Sequence, residues 1–186
     1  MTVSGTGSAW DEDELRQAVA ALAGVVDGDE PVDELAHALQ CATRALSAGA
    51  SPELVAAALL HDIARVPQIH SAFPGLPHET AGARWLASRT SEKVAWLVGA
   101  HVPAKVYLVE TDPAYFRTLS PESVLSLRHQ RDEGGHHPPM PELAAHPWWP
   151  EARDLRRWDD AAKVPGAPTA TLDEIFDQVR PAFAPD

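Results

Sequence analysis

The chain has 186 residues, a length typical of one domain, or of one domain with a short appendage, that buries a sizeable apolar core. Its 15 lysines and arginines against 27 acidic residues give a formal net charge of -12, which repels a phosphate backbone and excludes nucleic acid as the expected partner. The sequence has no basic segment followed by an apolar stretch at its start, and no apolar run near the ~20 residues that span a bilayer. We therefore expect a cytoplasmic protein without a membrane partner.

Apolar residues recur at helical spacing in the first part of the chain. The pattern predicts a first helix over about 10–26 and a second over about 31–49. Ser51 and Pro52 then provide an N-cap and a first-turn proline for a third helix, whose stretch LVAAALL is apolar on nearly all sides. Such a helix is expected at the centre of the fold.

The rest of the chain also shows helical patterns, separated by Pro- and Gly-rich loops and without a convincing strand pattern or repeat. We expect a loop over about 65–76, and a Gly/His/Pro-rich loop over 131–141 that is either an active-site cover or a linker. The sequence thus predicts an all-α fold in a single domain over 1–186, with an N-terminal helix in 1–26 and a C-terminal helix in 166–186. The other predicted helices cover 78–89, 91–109, a segment from Ser120, 149–164 and 171–183.

The third helix ends in His61 and Asp62, two ionisable residues that a buried position tolerates only when they are paired or bound to metal. A lone His-Asp pair is more often a surface pair. Further candidate ligands lie in or beside apolar helices: His37, His78, His101, Asp159 and Asp160. Each histidine alone is best explained as a hydrogen-bonded core residue, but converging helices gather the whole set in one dinuclear site.

The candidate ligands combine imidazole and carboxylate and include no thiolate. Such a set suits iron, manganese or zinc, and it suits copper(I) or an iron–sulfur cluster poorly. The ligand types do not decide between redox chemistry and hydrolysis of a phosphate ester by metal-bound hydroxide. The lone Cys41 lies in an apolar helical pattern and cannot form an internal disulfide, so we expect a buried, inert thiol in a reducing compartment.

Several motifs resemble the HD-domain superfamily over about residues 27–165, and the extra histidines resemble its diiron oxygenase branch. This branch includes myo-inositol oxygenase and the phosphonate-cleaving oxygenases, and the closer likeness is to the phosphonate enzymes. In these, a mixed-valent Fe(II)/Fe(III) pair uses dioxygen to oxidise a 1-hydroxyphosphonate, breaking its C–P bond to yield phosphate and a carboxylic acid. The motifs are EPV (30–32), LAH (35–37), ALLHDI (58–63), HV (101–102), LSPES (119–123) and LRRWDDAAK (155–163).

The resemblance implies two irons, Fe(II) and Fe(III), with dioxygen as co-substrate, and it places His61 and Asp62 at the catalytic centre. Asp62 would bridge the irons. His70 is the alternative to His78, and Asp160 the alternative to Asp159, although Lys163, four residues after Asp159, favours the latter. The terminal ligands would be His37, His61, His78, His101 and Asp159.

The resemblance also implies residues that hold the phosphonate oxygens: Lys105, Ser123 and Arg156. Lys105 lies one helical turn after His101 and therefore projects towards the same cavity. The alternative for Lys105 and Arg156 is ordinary surface charge. The alternative for Ser123 is a hydrogen bond that caps a helix.

Three further positions are expected to select the substrate. In the resembled enzymes the glutamate that matches Glu30 meets a substrate amine, so Glu30 hints at a cationic group. Asp27 and Arg65 stand where the resembled aminophosphonate enzymes have tyrosine and histidine, and Arg65 either neutralises Glu30 or binds a second anion. The group on C1 of the substrate is therefore left open.

The leading hypothesis is a diiron oxygenase that acts on a small anionic 1-hydroxyphosphonate, including an aminophosphonate derivative. One alternative is a metal-dependent phosphohydrolase of the same fold, acting on a phosphate ester or a nucleotide. Another is a non-catalytic ligand-binding protein whose histidines are core polar groups. Metal content and oxygen dependence separate the three, whereas the sequence leaves the oligomeric state open.

Overall fold

The computed structural model describes residues 11–132 and 138–183, except for the side chains of 128–132. In these ranges the chain forms α-helices and two short 3-10 turns, Ile63–Arg65 and Arg180–Phe183, with no β-strand. The predicted all-α fold is therefore confirmed, while the single domain stays a prediction. The helices are α1 (Glu12–Ala20), α2 (Glu34–Ser47), α3 (Pro52–Leu60), α4 (Pro67–Ser71), α5 (His78–Leu86), α6 (Glu92–Thr111), α7 (Pro113–Phe116), α8 (Pro121–Asp132), α9 (Met140–Ala144), α10 (Trp149–Ala161) and α11 (Leu172–Val179).

Short polar side chains fix where the main helices begin. Asp33, Ser51 and Ser91 precede α2, α3 and α6, and each accepts a hydrogen bond from a backbone N–H of the first turn. Thr171 and Glu174 form a reciprocal capping box at the start of α11. These bonds satisfy N–H groups that have no partner inside the helix, so the predicted cap at Ser51 is confirmed.

Helix α3 lies at the centre of the fold. Every residue from Leu54 to Leu60 is buried, and the helix packs against α2, α6, α10 and α11. Because apolar neighbours surround it, the helix end carries His61 into the interior, where the imidazole is fully buried. The prediction of a central third helix is confirmed.

Two glycines allow helices α5 and α6 to pack closely. A Cβ atom on Gly82 would lie 3.3 Å from Cγ1 of Val98, and one on Gly99 would lie 3.3 Å from Cβ of Ala83. Both distances are tighter than ordinary van der Waals contact, so larger side chains here would push the helices apart. The close approach matters because His78 begins α5 and His101 lies in α6.

The sequence misplaced several boundaries. Helix α1 ends at Ala20, well before the predicted residue 26, because the chain turns at Gly24, which has a φ of +74° and donates its N–H to the Asp33 carboxylate at 2.9 Å. Short helices α4, α7 and α9 occupy segments expected to be loops or left unassigned. Of the predicted 131–141 loop, 133–137 lie outside the described residues, as do residue 10 and the last residues of the predicted C-terminal helix, 184–186.

The two ends of the described chain pack against each other. Arg16 of α1 forms an ion pair with Asp173 at 2.6 Å, and its guanidinium carbon lies 4.3 Å from the ring centroid of Phe176. Helix α11 in turn packs on α2 and α3. No helix within 11–132 and 138–183 has the length and apolar character that crossing a membrane requires.

Candidate metal centre

Two histidines and one carboxylate form a first ligand group. The Nε2 atoms of His37 and His61 are 3.1 Å apart. Asp159 brings Oδ1 to 3.3 Å from Nε2 of His37 and Oδ2 to 3.7 Å from Nε2 of His61. The three side chains are buried and come from α2, the end of α3 and α10.

A second ligand group lies beside the first and consists of Asp62, His78 and His101. The Nε2 atoms of the two histidines are 3.3 Å apart. Oδ1 of Asp62 lies 3.1 Å from Nε2 of His78 and 3.8 Å from Nε2 of His101. The close packing of α5 on α6 brings these two imidazoles together.

Asp62 faces both groups. Its Oδ1 atom belongs to the second group, while its Oδ2 atom lies 3.5 Å from Nε2 of His61 and 3.8 Å from Nε2 of His37. One carboxylate thus presents one oxygen to each group. This is the arrangement required of a bridging ligand.

All four imidazoles have a partner at Nδ1, which is a hydrogen bond for His37, His61 and His101 and an ion-pair contact for His78. A partner at Nδ1 fixes the tautomer in which Nδ1 carries the proton and the Nε2 lone pair is available to a metal. Three acceptors are backbone carbonyls and one is a carboxylate. The pairs are His37 with Ala162 O (3.0 Å), His61 with Ala58 O (2.9 Å), His101 with Val98 O (2.7 Å) and His78 with Glu79 Oε2 (3.2 Å).

The donor atoms fit metal ions. Ligands about 2.1 Å from one ion are about 3.0–3.4 Å apart when the bonds meet at right or tetrahedral angles, close to the spacing of the Nε2 pairs. Oδ1 of Asp62 is buried and has no hydrogen-bond partner among the described residues, although a buried polar atom needs one. A cation between the ligands satisfies it.

Asp62, Asp159 and His101 are shifted towards the protonation states that bind metal, whereas Asp62 and Asp159 outweigh burial and raise the pKa of His61. Burial alone would raise the pKa of Asp62, but His61 and Arg65 outweigh it and hold that pKa well below its usual value. Asp159 behaves in the same way, because Arg156 and His61 outweigh its burial and lower its pKa. Burial, aided by His61, lowers the pKa of His101 to about 3. Ionised carboxylates and a neutral imidazole are the forms that ligate a metal.

A cavity of about 40 Å³ opens beside the ligand groups. All six residues predicted to contact substrate line it: Asp27, Glu30, Arg65, Lys105, Ser123 and Arg156. Five of the six predicted metal ligands line it as well: His37, Asp62, His78, His101 and Asp159.

The model of the HD domain matches residues 35–161 of the chain, a range that contains all six ligands. The chain belongs to the HD-domain family. The predicted resemblance is thereby confirmed.

Two relatives of this HD-domain protein are named for phosphonates. A hydroxymethylphosphonate dioxygenase of Gimesia maris is 38% identical over 159 residues, which cover 81% of this chain and 78% of the relative. A [1-hydroxy-2-(trimethylamino)ethyl]phosphonate dioxygenase (glycine-betaine-forming) of Leisingera caerulea is 37% identical over 124 residues, which cover 60% of this chain and 63% of the relative. Both relatives are oxygenases by name.

The structure separates the alternative ligands. His70 is exposed on α4 and lies in neither ligand group, whereas His78 lies in the second. Asp160 turns away from the histidines and accepts hydrogen bonds from Tyr115 and Arg156, whereas Asp159 lies in the first group. His78 and Asp159, and not His70 and Asp160, therefore lie in the candidate ligand groups.

Lys105 is a buried lysine with no carboxylate partner in the described part of the chain. It is 2% exposed, and its Nζ donates a hydrogen bond to the hydroxyl of Ser126 at 2.7 Å. No carboxylate among the described residues lies within ion-pair distance of it. Burial and the neighbouring Arg156 lower its pKa to about 7. An anion in the cavity would stabilise the charged form.

Arg156, predicted to bind substrate, lines the cavity and is paired with acidic residues. Its Nη1 lies 2.5 Å from Oδ2 of Asp159, its Nε donates to Oδ2 of Asp160 at 2.9 Å, and its Nη2 contacts the same Asp160 carboxylate. The phenol oxygen of Tyr115 lies 3.2 Å from Nε. The guanidinium thus binds acids of its own helix on three sides, and in this structure it holds Asp159 in place.

Two ion pairs line the cavity, and we call them the rim pairs. Nη2 of Arg65 lies 2.8 Å from Oδ2 of Asp27, and Nζ of Lys163 contacts Oε1 of Glu30. Oε1 of Glu30 also accepts a hydrogen bond from the Ser120 hydroxyl at 3.0 Å. The structure therefore neutralises Glu30 with Lys163, and not with Arg65 as the sequence suggested.

Sequence reasoning missed Glu34. It is 5% exposed, its Oε2 atom has no hydrogen-bond partner among the described residues, and burial together with Asp62 raises its pKa to about 8. It forms a third candidate group with His37 and Asp62. Its place three residues before His37, on the same helix face, was the available sign.

Ser123 and Ser126 are a further pair on the cavity wall. Ser123 was predicted, and its hydroxyl donates to Oδ1 of Asp160 at 3.2 Å and lies 3.3 Å from Nζ of Lys163. Ser126 was missed, although it follows Ser123 by one helical turn and therefore faces the same side of α8.

Proposed function

We propose that this HD-domain protein is a diiron oxygenase that oxidises a 1-hydroxyphosphonate with dioxygen and cleaves its C–P bond to give phosphate and a carboxylic acid. The observation that carries the proposal is the pair of ligand groups that share Asp62, lying beside Lys105, which has no carboxylate partner among the described residues. The names of the two relatives support it, since both act on phosphonates with dioxygen by name.

Two irons, as Fe(II) and Fe(III), would be held by His37, His61 and Asp159 on one side and by His78 and His101 on the other, with Asp62 between them. Once bound, the irons supply the redox chemistry, activating dioxygen and polarising the substrate hydroxyl. His61 and Asp62 thus act at the reacting centre as ligands. The Nδ1 contacts hold the imidazoles in the geometry that binding requires.

Other residues bind and orient the substrate. The buried ammonium of Lys105 pairs with the phosphonate, while the Ser126 hydroxyl, which accepts a hydrogen bond from Lys105 and donates one to the backbone carbonyl of Ser123, holds the ammonium in position. Arg156 acts as a positioning residue, because its guanidinium already binds Asp159 and Asp160. The buried cavity excludes most water, which strengthens each of these charged contacts.

The overall reaction balances with one dioxygen per substrate. The C–P bond and a C–H bond of C1 break, one oxygen atom completes the carboxylic acid and the other completes phosphate. For hydroxymethylphosphonate the products are formic acid and phosphoric acid. The carbon loses four electrons in this case, and dioxygen accepts them.

The test is to load the protein with iron without oxygen, add a panel of 1-hydroxyphosphonates, and then admit oxygen. We expect phosphate and carboxylic acid to appear in equal amounts and in proportion to the oxygen consumed. A panel that releases no phosphate contradicts the proposal. Turnover of a nucleotide or phosphomonoester without oxygen, with manganese in place of iron, would support the phosphohydrolase instead.

A further inference from the structure

We infer that the cavity selects a 1-hydroxyphosphonate whose C1 substituent carries no charge, with hydroxymethylphosphonate, in which the substituent is hydrogen, as the best-fitting member. The inference rests on the proposed function and adds the substrate class to it. The rim pairs, Asp27 with Arg65 and Glu30 with Lys163, carry the selection.

The carboxylates of the described lining leave no place for a substrate cation. Asp62 and Asp159 belong to the ligand groups. The ligand atoms of Glu34, His37 and Asp62 lie within 4.8 Å of one another, so an ammonium that reached Glu34 would stand beside the metal ions, which repel it. The remaining two acids, Asp27 and Glu30, are already neutralised in the rim pairs.

Exposure places the Asp27–Arg65 pair at the opening of the cavity, whereas the side chains of Glu30 and Lys163 are only 8% and 18% exposed. The side chains of Asp27 and Arg65 are 44% and 26% exposed, whereas Lys105 is only 2% exposed. A phosphonate held at Lys105 therefore lies deeper than the Asp27–Arg65 pair. An ammonium group on the C1 substituent would have to displace Arg65 in order to reach Asp27. A carboxylate on that substituent would likewise have to displace Asp27 in order to reach Arg65.

The lining also lacks an aromatic face for a quaternary ammonium. Such groups are recognised by Trp, Tyr or Phe rings, and none of these lines the cavity among the described residues. The substrate in the name of the Leisingera caerulea relative carries such a trimethylammonium group.

The test compares three substrates on the iron-loaded full chain by phosphate release: hydroxymethylphosphonate, 2-amino-1-hydroxyethylphosphonate and 2-carboxy-1-hydroxyethylphosphonate. We expect the wild type to favour the first by about 100-fold in kcat/KM. Arg65→Gln frees Asp27, so the kcat/KM of the ammonium compound relative to hydroxymethylphosphonate should rise about tenfold. Asp27→Asn frees Arg65, so the relative kcat/KM of the carboxylate compound should rise about tenfold. Arg84→Gln, on the exposed face of α5, is the control and should change neither ratio.

Ratios measured on one preparation are independent of the fraction of protein that holds iron, so a variant with less metal still gives an answer. Calorimetric binding of the three compounds without oxygen should rank them in the same order. A wild type that prefers the ammonium compound, or unchanged ratios in both rim variants, overturns the inference while phosphate release upholds the proposed function. No phosphate from any of the three, in any variant, rejects both.

Discussion

His78 and His70 show how much the surroundings of a histidine decide. His78 has its Nδ1 beside Glu79 and its Nε2 3.1 Å from Asp62, whereas His70 is exposed. We expect His78→Ala to lower the iron content of anaerobically loaded protein from two to about one ion per chain, because the first ligand group stays complete. His70→Ala, the matched control, should keep both.

Atomic absorption on the purified variants measures this difference, with circular dichroism to show that the helices persist. Equal iron losses in the two variants would mean that His78 is not a ligand. Complete loss of iron in His78→Ala alone would show that the two groups bind metal only together.

Lys105 is expected to favour substrate binding at a cost in stability. In the metal-free protein its folded-state pKa is about 7, against an ordinary value of 10.5. The unfolded chain therefore binds more protons than the folded one between these values, so stability from this group rises as pH rises through that window and is lost as pH falls. Lys105→Met removes the buried charge.

At pH 7 we expect Lys105→Met to raise the free energy of unfolding by about 1–4 kcal/mol, the range known for buried charges replaced by apolar residues. The gain over the wild type should shrink towards pH 10, and phosphonate binding should be lost. Lys93→Met is the control, because Lys93 lies on the same helix as Lys105 and forms an ion pair with Glu151 of α10. Its loss should lower the free energy of unfolding by at most about 1 kcal/mol. Denaturant unfolding at several pH values measures this difference. A Lys105→Met variant that is less stable than the wild type at every pH would contradict the prediction.

The four histidines that the structure brings together could be singled out in the sequence, because histidines in apolar helices are conspicuous. The sequence did not show which partners the neighbouring charged side chains bind. Arg156 was predicted to hold substrate, yet its guanidinium binds Asp159 and Asp160, since residues three and four apart on one helix face each other. Glu34 was missed because an acidic residue in a first helical turn normally serves the helix dipole.

At the scale of elements, the long helices were predictable because their apolar spacing and caps agree. The short helices α4, α7 and α9 were not, because four or five residues give too little periodicity to read. The missed α7 carries Tyr115, which contacts Arg156, so part of the support for Asp159 was invisible in the sequence.

The contact of α5 with α6 gives a prediction at the same scale. Gly82→Val would place a branched side chain against Val98 and Ile63, whose nearest atoms are 3.3 and 3.6 Å from the point that its Cβ atom would occupy, and so move His78 away from His101. We expect weaker binding of iron in the second group and a destabilisation of about 1–3 kcal/mol. Chelator competition and thermal unfolding measure the two effects.

Arg84→Val on the same helix is the matched control, because it introduces the same branched residue at an exposed position. It should lower stability only by the helix propensity of valine, about 0.5 kcal/mol, and leave iron binding intact. Equal effects of the two variants would mean that close packing of α5 on α6 is not what forms the second group.

At the scale of the whole molecule, the fold class followed from the sequence because helical periodicity recurs along the chain without a competing strand pattern. The contact between the two ends of the described chain could not be predicted from the sequence, because residues so far apart along the chain leave no local pattern. Arg16 against Asp173 and Phe176 is an example. The family match does not cover the whole cavity either, because three of the four rim residues lie outside the matched range 35–161. These three are Asp27, Glu30 and Lys163.

The packing of α11 on α3 predicts that stability depends on residues remote from the metals. Phe176 is fully buried, so Phe176→Ala should cost about 3–5 kcal/mol, a large share of the ~5–15 kcal/mol typical of a domain. Gln178→Ala, exposed on the same helix, should change stability by less than about 0.5 kcal/mol. Folded Phe176→Ala protein at low temperature should still bind two irons, and a loss of metal there would contradict this separation of roles.

The adjacency of His61 and Asp62 has a geometric consequence. His61 serves one ligand group while Asp62 reaches both, so a single peptide unit, with its Cα atoms about 3.8 Å apart, links the two groups. The other ligands arrive on separate helices, which can shift. Substitution or heating that loosens the helices should therefore change how firmly the ions are held before it changes the distance between them.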